Sequence, residues 1–592
     1  MDVPCLWLRS LVGYAGIGLI VAVVYGCQRS AEPVRTVRKP SAGSAAAPAK
    51  APSPGRLIPE GPRQPSPPLA VEPSPPARAQ PQAPSPLSAQ MKTNPPYTKQ
   101  PDQKKEHLSA PASGKEHNPK EHNPHDLPEP PPVDPIRTNG PHFVGWSKPR
   151  LLIVFSGQMK GYLEPCGCAG LENMKGGLAR RFTFLEQLRK KGWTVLPLDC
   201  GGQVRRRGKQ AQMKFHYAID ALRAMQYGAI GLGPQDLHLG AEELLPAVAD
   251  EQNHLLCANL ELLGLPVAPF RVIEAGGMKV GVTAVLGKAF HKQLASESIK
   301  LTDPAQALAQ VVPQLQQQNC DVLVLLSHAP VEETRALARR FPQFHLVLTA
   351  QGAEEPPAEA EKLHQGRTWL IQTGYKGMHL IAVGVDGPQA NSWRYQRVVV
   401  DSRFRNAPQI DQRMADYQAQ LRDLGWEGLG LRPLPHPSGA RFVGSQACAD
   451  CHTVACDIWE KTPHAHATRT LVQLTPPRQF DPECISCHAT GWDPQRYVPF
   501  ESGYVSMEKT PQLRANGCEN CHGPGSRHVA IELGDLEVSE AEAEKARRAM
   551  RVTIQEAKQH LCLQCHDLDN SPDYIKHGFE LYWPPIKHQG TD

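Results

Sequence analysis

The sequence predicts a multidomain protein: a disordered, proline-rich N-terminal spacer, then a layered α/β domain, then a mainly α-helical and irregular C-terminal domain. Three observations predict this order. Proline, alanine, serine and charged residues dominate the chain from residue 31 to about residue 140, where large apolar side chains are scarce. Apolar segments of strand length then alternate with amphipathic helical patterns up to about residue 400. A short cysteine- and histidine-containing motif recurs after residue 440.

The domain boundaries follow from these shifts in composition. We place a targeting segment at 1–27, the spacer at 28–147, the α/β domain at 148–401, a helical linker containing Pro and Gly at 402–440, and the C-terminal domain at 441–592. The spacer has too little apolar surface to offset its chain entropy, so we expect it to be disordered.

The targeting segment has the layout of a secretory signal. Arg9 precedes an apolar run at 11–26, which ends at Cys27. Residues 24–27 resemble a bacterial lipobox, in which Cys27 would carry the lipid. The alternative is an uncleaved anchor, although the run is short for a bilayer span. Both predict an exported, periplasmic protein held at the membrane by its N-terminus.

The charge of the chain predicts no nucleic-acid partner. The formal net charge is only +5 over 592 residues, too small to indicate a phosphate-binding surface. The basic run Arg205–Arg207 is expected to be a solvated loop.

Four C-x-x-C-H motifs indicate covalent attachment of c-type haem. Each pair of thiols would add to the haem vinyl groups, at Cys448 and Cys451, Cys484 and Cys487, Cys518 and Cys521, and Cys562 and Cys565. The histidine that follows each pair would be the proximal iron ligand, namely His452, His488, His522 and His566. Zinc knuckles or disulfides are the alternative, but zinc sites draw four ligands from paired motifs.

The C-terminal domain resembles the tetrahaem cytochrome c-554 type family. The residues that carry the resemblance are the Thr-Pro-His-Ala-His-Ala string at 462–467 and the string at 518–528, which ends at His528. The family implies four haems, electron transfer and redox partner proteins. The candidate distal iron ligands are His464, His466, His528, His560, His577 and His588; the family strings favour His528 and either His464 or His466.

The middle of the chain predicts an α/β sheet structure. The predicted strands are 151–155, 194–198, 229–232, 254–259, 279–285, 321–326, 345–348, 369–372 and 379–385. Helices are predicted at 178–189, with Leu178, Phe182, Leu185 and Leu188 on one face, at 331–341, and in the linker at 411–424.

The order of motifs in this domain resembles metallophosphoesterases of the 5′-nucleotidase and UDP-sugar hydrolase type. The residues that carry the resemblance are at 176–181, 198–202, 233–240, 326–329 and 372–374. That family holds two metal ions, yet only His328 stands where a ligand should. Gln158, Lys160, Gly201, Gly202, the 233–236 segment and the 350–353 segment replace the others. Two dications need carboxylates to hold them, so we expect a degenerate domain without two-metal chemistry.

Three cysteines are predicted near the same edge of the sheet. Cys166 and Cys168 follow the first strand and Cys200 follows the second. They are candidates for a redox dithiol or a soft-metal site; the alternative is a structural disulfide with Cys200 as a buried spectator.

The function that these expectations favour is electron transfer by an exported, membrane-anchored multihaem cytochrome, whose α/β domain binds a partner or carries thiol redox chemistry. Two alternatives remain open at the level of the sequence. One is a periplasmic phosphoesterase or nucleotidase-like hydrolase with an appended cytochrome. The other is a haem oxidoreductase of a small nitrogen or sulfur compound.

Overall fold

The computed structural model describes residues 133–166, 173–387 and 389–589, with only the backbone described for Cys166 and Asn391. The predicted targeting segment with Cys27, nearly all of the predicted spacer, and Cys168 lie outside the described residues. Within the described ranges, no helix is both long enough and apolar enough to cross a bilayer.

Two six-stranded sheets form the centre of the α/β region. The first has the strand order Arg394–Val399, His379–Val385, Leu151–Ser156, Val195–Asp199, Ala229–Gly231 and Leu255–Leu256. The second has the order Glu361–Leu363, Thr368–Gln372, Leu346–Gln351, Val322–Pro330, Met278–Leu286 and Phe270–Ala275. The four strands from Leu151–Ser156 to Leu255–Leu256 run parallel, and so do the inner four of the second sheet.

The sheets pack face to face, and helices cover their outer faces. Strand Leu151–Ser156 is buried on both sides: Ile153 and Phe155 pack between the sheets, and Leu152 and Val154 pack under helices. The helices that cover the first sheet are Leu178–Lys190, Lys209–Ala224 and Pro408–Gly428. Those that cover the second are Pro304–Gln317 and Val331–Arg340. The predicted layered α/β domain is therefore confirmed.

Most predicted elements are confirmed, with two informative exceptions. The predicted strand at 254–259 shortens to Leu255–Leu256, because the amide of Cys257 bonds to Ala268 O and leaves the first sheet. On the helix Leu178–Lys190, Phe184 is buried, whereas the predicted Phe182 is only half-buried. Strands Phe270–Ala275 and Arg394–Val399 were not predicted, because two charged residues in each of these half-exposed edge strands interrupt the apolar pattern.

The remaining elements are short. In the α/β region the helices are Pro135–Asn139, Pro234–Leu237, Ala241–Ala249, Glu251–Asn253, Lys288–Phe290, His291–Leu294, His364–Gly366 and Ala390–Ser392. The strands are Pro165–Cys166, Lys175–Gly176, Leu260–Leu262, Leu265–Pro266 and Ile299–Leu301.

The C-terminal region, residues 441–589, consists of short helices and turns. Its helices are Ser445–Ala449, Thr453–Glu460, Pro463–His466, Ala467–Gln473, Pro482–His488, Pro511–Leu513, Cys518–His522, Ser526–Glu532, Glu540–Ala549, Ile554–Glu556, Ala557–Leu561, Cys562–Gln564, Pro572–His577 and Phe579–Tyr582. Strands Trp492–Asp493 and Val498–Pro499 form a small hairpin. Among the described residues, the two apolar clusters of the C-terminal region contain only seven and three buried residues.

Asp569 connects the C-terminal region to the α/β region. Its carboxylate accepts hydrogen bonds from Lys376 Nζ at 2.5 Å and Arg205 Nη1 at 2.7 Å, and from the Tyr162 hydroxyl. The three donors follow three different strands of the α/β region. Arg205 and Arg207 are exposed, as expected for a solvated loop, but the guanidinium of Arg205 also makes an interdomain contact that the sequence did not predict.

A second group of polar contacts continues the interface. Lys214 Nζ lies 2.7 Å from Glu483 Oε2. Arg478 binds both carboxylate oxygens of Glu164, at 2.6 and 3.1 Å, and such two-bond pairs fix geometry as well as charge. Gln210 Nε2 donates to Asp481 at 2.7 Å. The α/β region therefore contacts the C-terminal region through the loops at one edge of its sheets.

We expect the Asp569 carboxylate to stabilise the protein in a pH-dependent way. Burial raises its pKa, but hydrogen bonds from Lys376, Tyr162 and Arg205 outweigh burial and lower the pKa to about 2. Because an unfolded aspartate titrates near 3.9, the stabilisation is complete above about pH 5 and is lost as the pH falls toward 2. Asp569→Asn should lower the free energy of unfolding by about 2 kcal/mol at neutral pH.

The difference between Asp569→Asn and the unchanged protein should fall by about half between pH 5 and pH 3. The measurement is the urea unfolding midpoint of the holoprotein, followed by far-ultraviolet circular dichroism. Asp535→Asn is the matched control, because Asp535 is exposed and makes no ion pair with any described residue. A difference that is constant with pH would contradict this role of Asp569.

Candidate haem site

In each motif, one helical turn places the two cysteines and the histidine on one side, where they can bind the same ligand. The second and third motifs lie in helices Pro482–His488 and Cys518–His522. In the first motif the His452 amide donates to Cys448 O at 2.9 Å, and in the fourth the amide of His566 donates to Cys562 O at 2.8 Å. Residues three and four apart share a helix face, so both thiols and the imidazole of each motif face the same side.

Hydrogen bonds fix the orientation of the motif histidines. His488 Nδ1 donates to Ala467 O at 2.8 Å, and His522 Nδ1 donates to Met550 O at 2.6 Å. A carbonyl oxygen can only accept, so Nδ1 carries the proton and the lone pair of Nε2 is free for a metal. His566 Nδ1 lies 2.8 Å from Ser571 Oγ, a hydroxyl that can either accept from it or donate to it.

Three of the four motif histidines face a second histidine. A metal–nitrogen bond of about 2 Å on each side, with about 1 Å from each nitrogen to its ring centre, would separate two axial imidazole centroids by about 6 Å. The observed separations are 6.4 Å for His452 with His528, 5.8 Å for His522 with His588, and 5.9 Å for His566 with His464.

The space beside these histidines fits a porphyrin. A cavity of about 540 Å³ is lined by the cysteines and histidines of the third and fourth motifs together with His464 and His588. Cavities of 300–1,000 Å³ are the usual size for cofactors. Aromatic side chains such as Trp459, Trp492 and Trp583 complete its wall. The donor set, the spacing and the volume therefore fit c-type haem.

The second motif differs from the other three. Among the described residues, no second histidine ring lies in contact with His488, whose nearest polar neighbours are Ala467 O and Thr470 Oγ1, at 2.8 and 3.4 Å from Nδ1. The remaining predicted distal ligands are exposed and are not in ring contact with a motif histidine: His466, His560 and His577. Nothing in the structure brings them to the second motif.

Glu519 is a buried carboxylate that sequence reasoning missed. It lies between the cysteines of the third motif and accepts hydrogen bonds from the amides of Val443, Gly444 and Gly525, at 2.7–3.1 Å. Burial raises its pKa, whereas these amide bonds lower it. Glu519 holds the segment that leads into the first motif against the third.

In the α/β region, the positions that correspond to metal ligands in the resembled family meet around His328. Its Nδ1 donates to Cys200 O at 3.1 Å, so Nε2 carries the lone pair. The amide nitrogens of Gln158 and Gln351 lie 3.2 and 3.1 Å from Nε2 and donate to it. Burial, opposed by the bond to Cys200 and assisted by Lys160, lowers the pKa of His328 to about 4. Two glutamines thus occupy the direction in which this imidazole would bind a metal.

Two glycines press against the same imidazole. A Cβ atom added to Gly233 would lie 2.6 Å from Cε1 of His328, and one added to Gly202 would lie 3.0 Å from it. Gly202 also has a φ of 82°, which favours glycine. Side-chain ligands therefore have no room at these positions. In the described ranges, no group of three or more His, Cys, Asp or Glu side chains is arranged to hold a metal ion.

The structure does not support a reactive role for Cys200. Its side chain is 1% exposed and packs between the two sheets. Burial, followed by the charge of Asp199, raises the pKa of the Cys200 thiol well above its usual range, which disfavours the nucleophilic thiolate. Cys200 therefore matches the alternative of a buried spectator. For Cys166 the backbone pairs with Lys175, and the predicted chemistry of Cys166 and Cys168 stays a prediction.

Part of the C-terminal region matches a known family. The model of the family described as "Cytochrome c554 and c-prime" matches residues 447–523. Cytochrome c-554 of Nitrosomonas europaea is 31% identical over 99 residues, which cover 14% of this chain and 40% of the cytochrome. This part of the chain is thus similar to c-type cytochromes, which supports covalently bound haem.

The middle region is similar to 5′-nucleotidases. The 5′-nucleotidase of Diplobatis ommata is 32% identical over 180 residues, which cover 28% of this chain and 30% of the enzyme. A solved 5′-nucleotidase precursor from Thermus thermophilus aligns with 54% of this chain and 68% of its own at 17% identity and a TM-score of 0.42. The chain thus spans less than half the length of either of these sequence relatives, and its C-terminal and middle regions are similar to two different kinds of protein.

Proposed function

We propose that this chain is an exported, membrane-anchored multihaem c-type cytochrome that transfers electrons and carries four haems, one on each motif. The histidine pairing at the spacing of two axial ligands is the observation that supports it most. In this proposal His528, His588 and His464 would be the distal ligands of the first, third and fourth irons, which the ring separations support. Haem supplies a reversible one-electron couple, and ligation by two histidines without methionine favours low potentials.

In this proposal the protein's own contribution is to hold the axial imidazoles. The carbonyls of Ala467 and Met550 set the tautomers of His488 and His522. The α/β region serves as a docked module that binds a redox partner or carries thiol redox chemistry at Cys166 and Cys168. The N-terminal segment, through Cys27 or an uncleaved anchor, holds the protein on the periplasmic side of the membrane.

We expect His528→Ala to convert one low-spin iron into a high-spin iron, because the first iron loses one of its two protein ligands. The measurement is the electron paramagnetic resonance spectrum of the oxidised holoprotein, with iron quantified per chain. His577→Ala is the matched control, since His577 is exposed and contacts no motif histidine. A new high-spin signal in the control but not in His528→Ala would contradict the assignment.

A second candidate function rests on His488, which has no partner histidine among the described residues. An iron held there by His488 alone would have an open position, and the protein would then act on a small nitrogen or sulfur compound. Titration of the reduced holoprotein with nitric oxide should then change the optical spectrum of one haem in four. A spectrum that does not respond would leave electron transfer alone as the function.

The α/β region is expected to be inactive as a phosphoesterase, because Gln158, Gln351 and two glycines fill the site around His328. Metal analysis of the purified holoprotein should find about four irons per chain and no stoichiometric Mn or Zn. Phosphate release from adenosine 5′-monophosphate with added Mn²⁺ should stay at the background of a heated sample. Stoichiometric Mn or Zn together with phosphate release would instead favour the hydrolase.

A further inference from the structure

A small cavity lies at the seam between the α/β region and the C-terminal region. Its α/β wall comes from the loop after strand Leu151–Ser156, the loop after strand Val195–Asp199, and helix Lys209–Ala224. Its other wall comes from Glu483, Tyr497 and Asn570 of the C-terminal region. Ligands of open α/β sheets bind at the carboxyl ends of the strands, and this cavity has that position.

The charge of the lining is strongly positive. Lys160, Arg205, Arg206 and Lys214 face a single carboxylate, that of Glu483. Lys214 already pairs with Glu483 at 2.7 Å, while Arg206 Nε lies 3.7 Å from it. A cleft lined by one sign of charge attracts counter-ions.

Lys160 and Arg206 are the two cations that remain available to a ligand. No described carboxylate lies within ion-pair distance of Lys160, whose ammonium instead sits 3.6 Å above the ring of Tyr375. The guanidinium of Arg206 stacks 3.4 Å above the ring of Tyr497, and its Nε lies 3.7 Å from Glu483, which is longer than a hydrogen bond, so its N–H groups can donate to an anion. Burial, followed by the charge of Lys376, lowers the pKa of Lys160, and a bound anion would relieve that repulsion.

The size of the cavity limits what it can hold. Its volume is about 70 Å³, enough for a few water molecules or one small ion, since one water needs about 10–15 Å³ by this measure. Organic ligands such as nucleotides occupy pockets of about 300 Å³ or more. The lining offers N–H and O–H donors, which match oxygen acceptors.

We propose that this cavity binds one small inorganic oxyanion, held by Lys160 and Arg206 at the seam beside the second motif. Glu483 immediately precedes Cys484, so the anion would lie next to the attachment point of the second haem. The same loops bear the interdomain contacts, so the anion would also add to the docking of the two regions.

The test is isothermal titration of the holoprotein with sulfate, which is redox-inert, against a sodium chloride titration of equal ionic strength. We expect saturable binding of one sulfate per chain, and no saturable binding of chloride. Lys160→Gln and Arg206→Gln should each weaken sulfate binding about tenfold or more, because each removes a charge-assisted hydrogen bond. Adenosine 5′-monophosphate should not compete.

Lys300→Gln is the matched control, because Lys300 is exposed, makes no ion pair with a described residue, and its loss removes the same charge. It should leave sulfate affinity unchanged, and circular dichroism should report native folding for all three variants. The proposal is overturned if the holoprotein binds no sulfate saturably, which would also be the result if haem carboxylates fill the cavity. Equal affinity in all variants, or competition by the nucleotide, would overturn it as well.

Discussion

The C-terminal region depends on a core that its side chains do not supply. Its described apolar clusters hold seven and three buried residues, far fewer than the three clusters of the α/β region. A region of this size needs more buried apolar surface to offset chain entropy. Porphyrins attached through thioethers would provide it, and the cavity of about 540 Å³ at the third and fourth motifs is space for part of that cofactor surface. The C-terminal region would therefore need attached haem in order to fold, and the paired histidines mark the positions at which the haem irons would be held.

The two regions meet through polar side chains beside the second motif. Glu483, Asp481 and Arg478 all bond to side chains of the α/β region or its covering helix, while Ile485 and Ala489 of the same stretch are buried in the larger apolar cluster of the C-terminal region. The α/β region is rigid there, because its loops leave two packed sheets. The edge at which the resembled enzymes hold metals thus becomes a docking surface that supports a haem attachment site.

The sequence predicted the parts of the structure that rest on local patterns. Inner strands such as Val322–Pro330 carry continuous apolar runs, and helix Val331–Arg340 carries a 3.6-residue period, so both were predictable. The gathering of Gln158, Gln351 and His328 was implied only by the resemblance to metallophosphoesterases, whose ligand positions these residues take. The edge strand Arg394–Val399 was not predicted, because charged residues interrupt its apolar pattern. The sequence also did not predict that His464 rather than His466 lies beside His566. Only the three-dimensional path of the helix Pro463–His466 decides this.

Arg205 and Arg206 illustrate why charge is the hardest signal to interpret from a sequence. A run of three arginines usually indicates a solvated loop, yet here two of them contact Asp569 and Tyr497, which are more than 290 residues away in the chain. In the resembled family, metal ions supply the positive charge at this edge and carboxylates hold them. Among the described residues, Gln158, Gly202 and Gly233 stand at positions of those ligands around His328, and Lys160, Lys376 and the two arginines bring positive side-chain charge to the same edge. A cleft lined by cationic side chains attracts anions just as one that holds metal cations does, so the electrostatic preference of this edge does not depend on a bound metal.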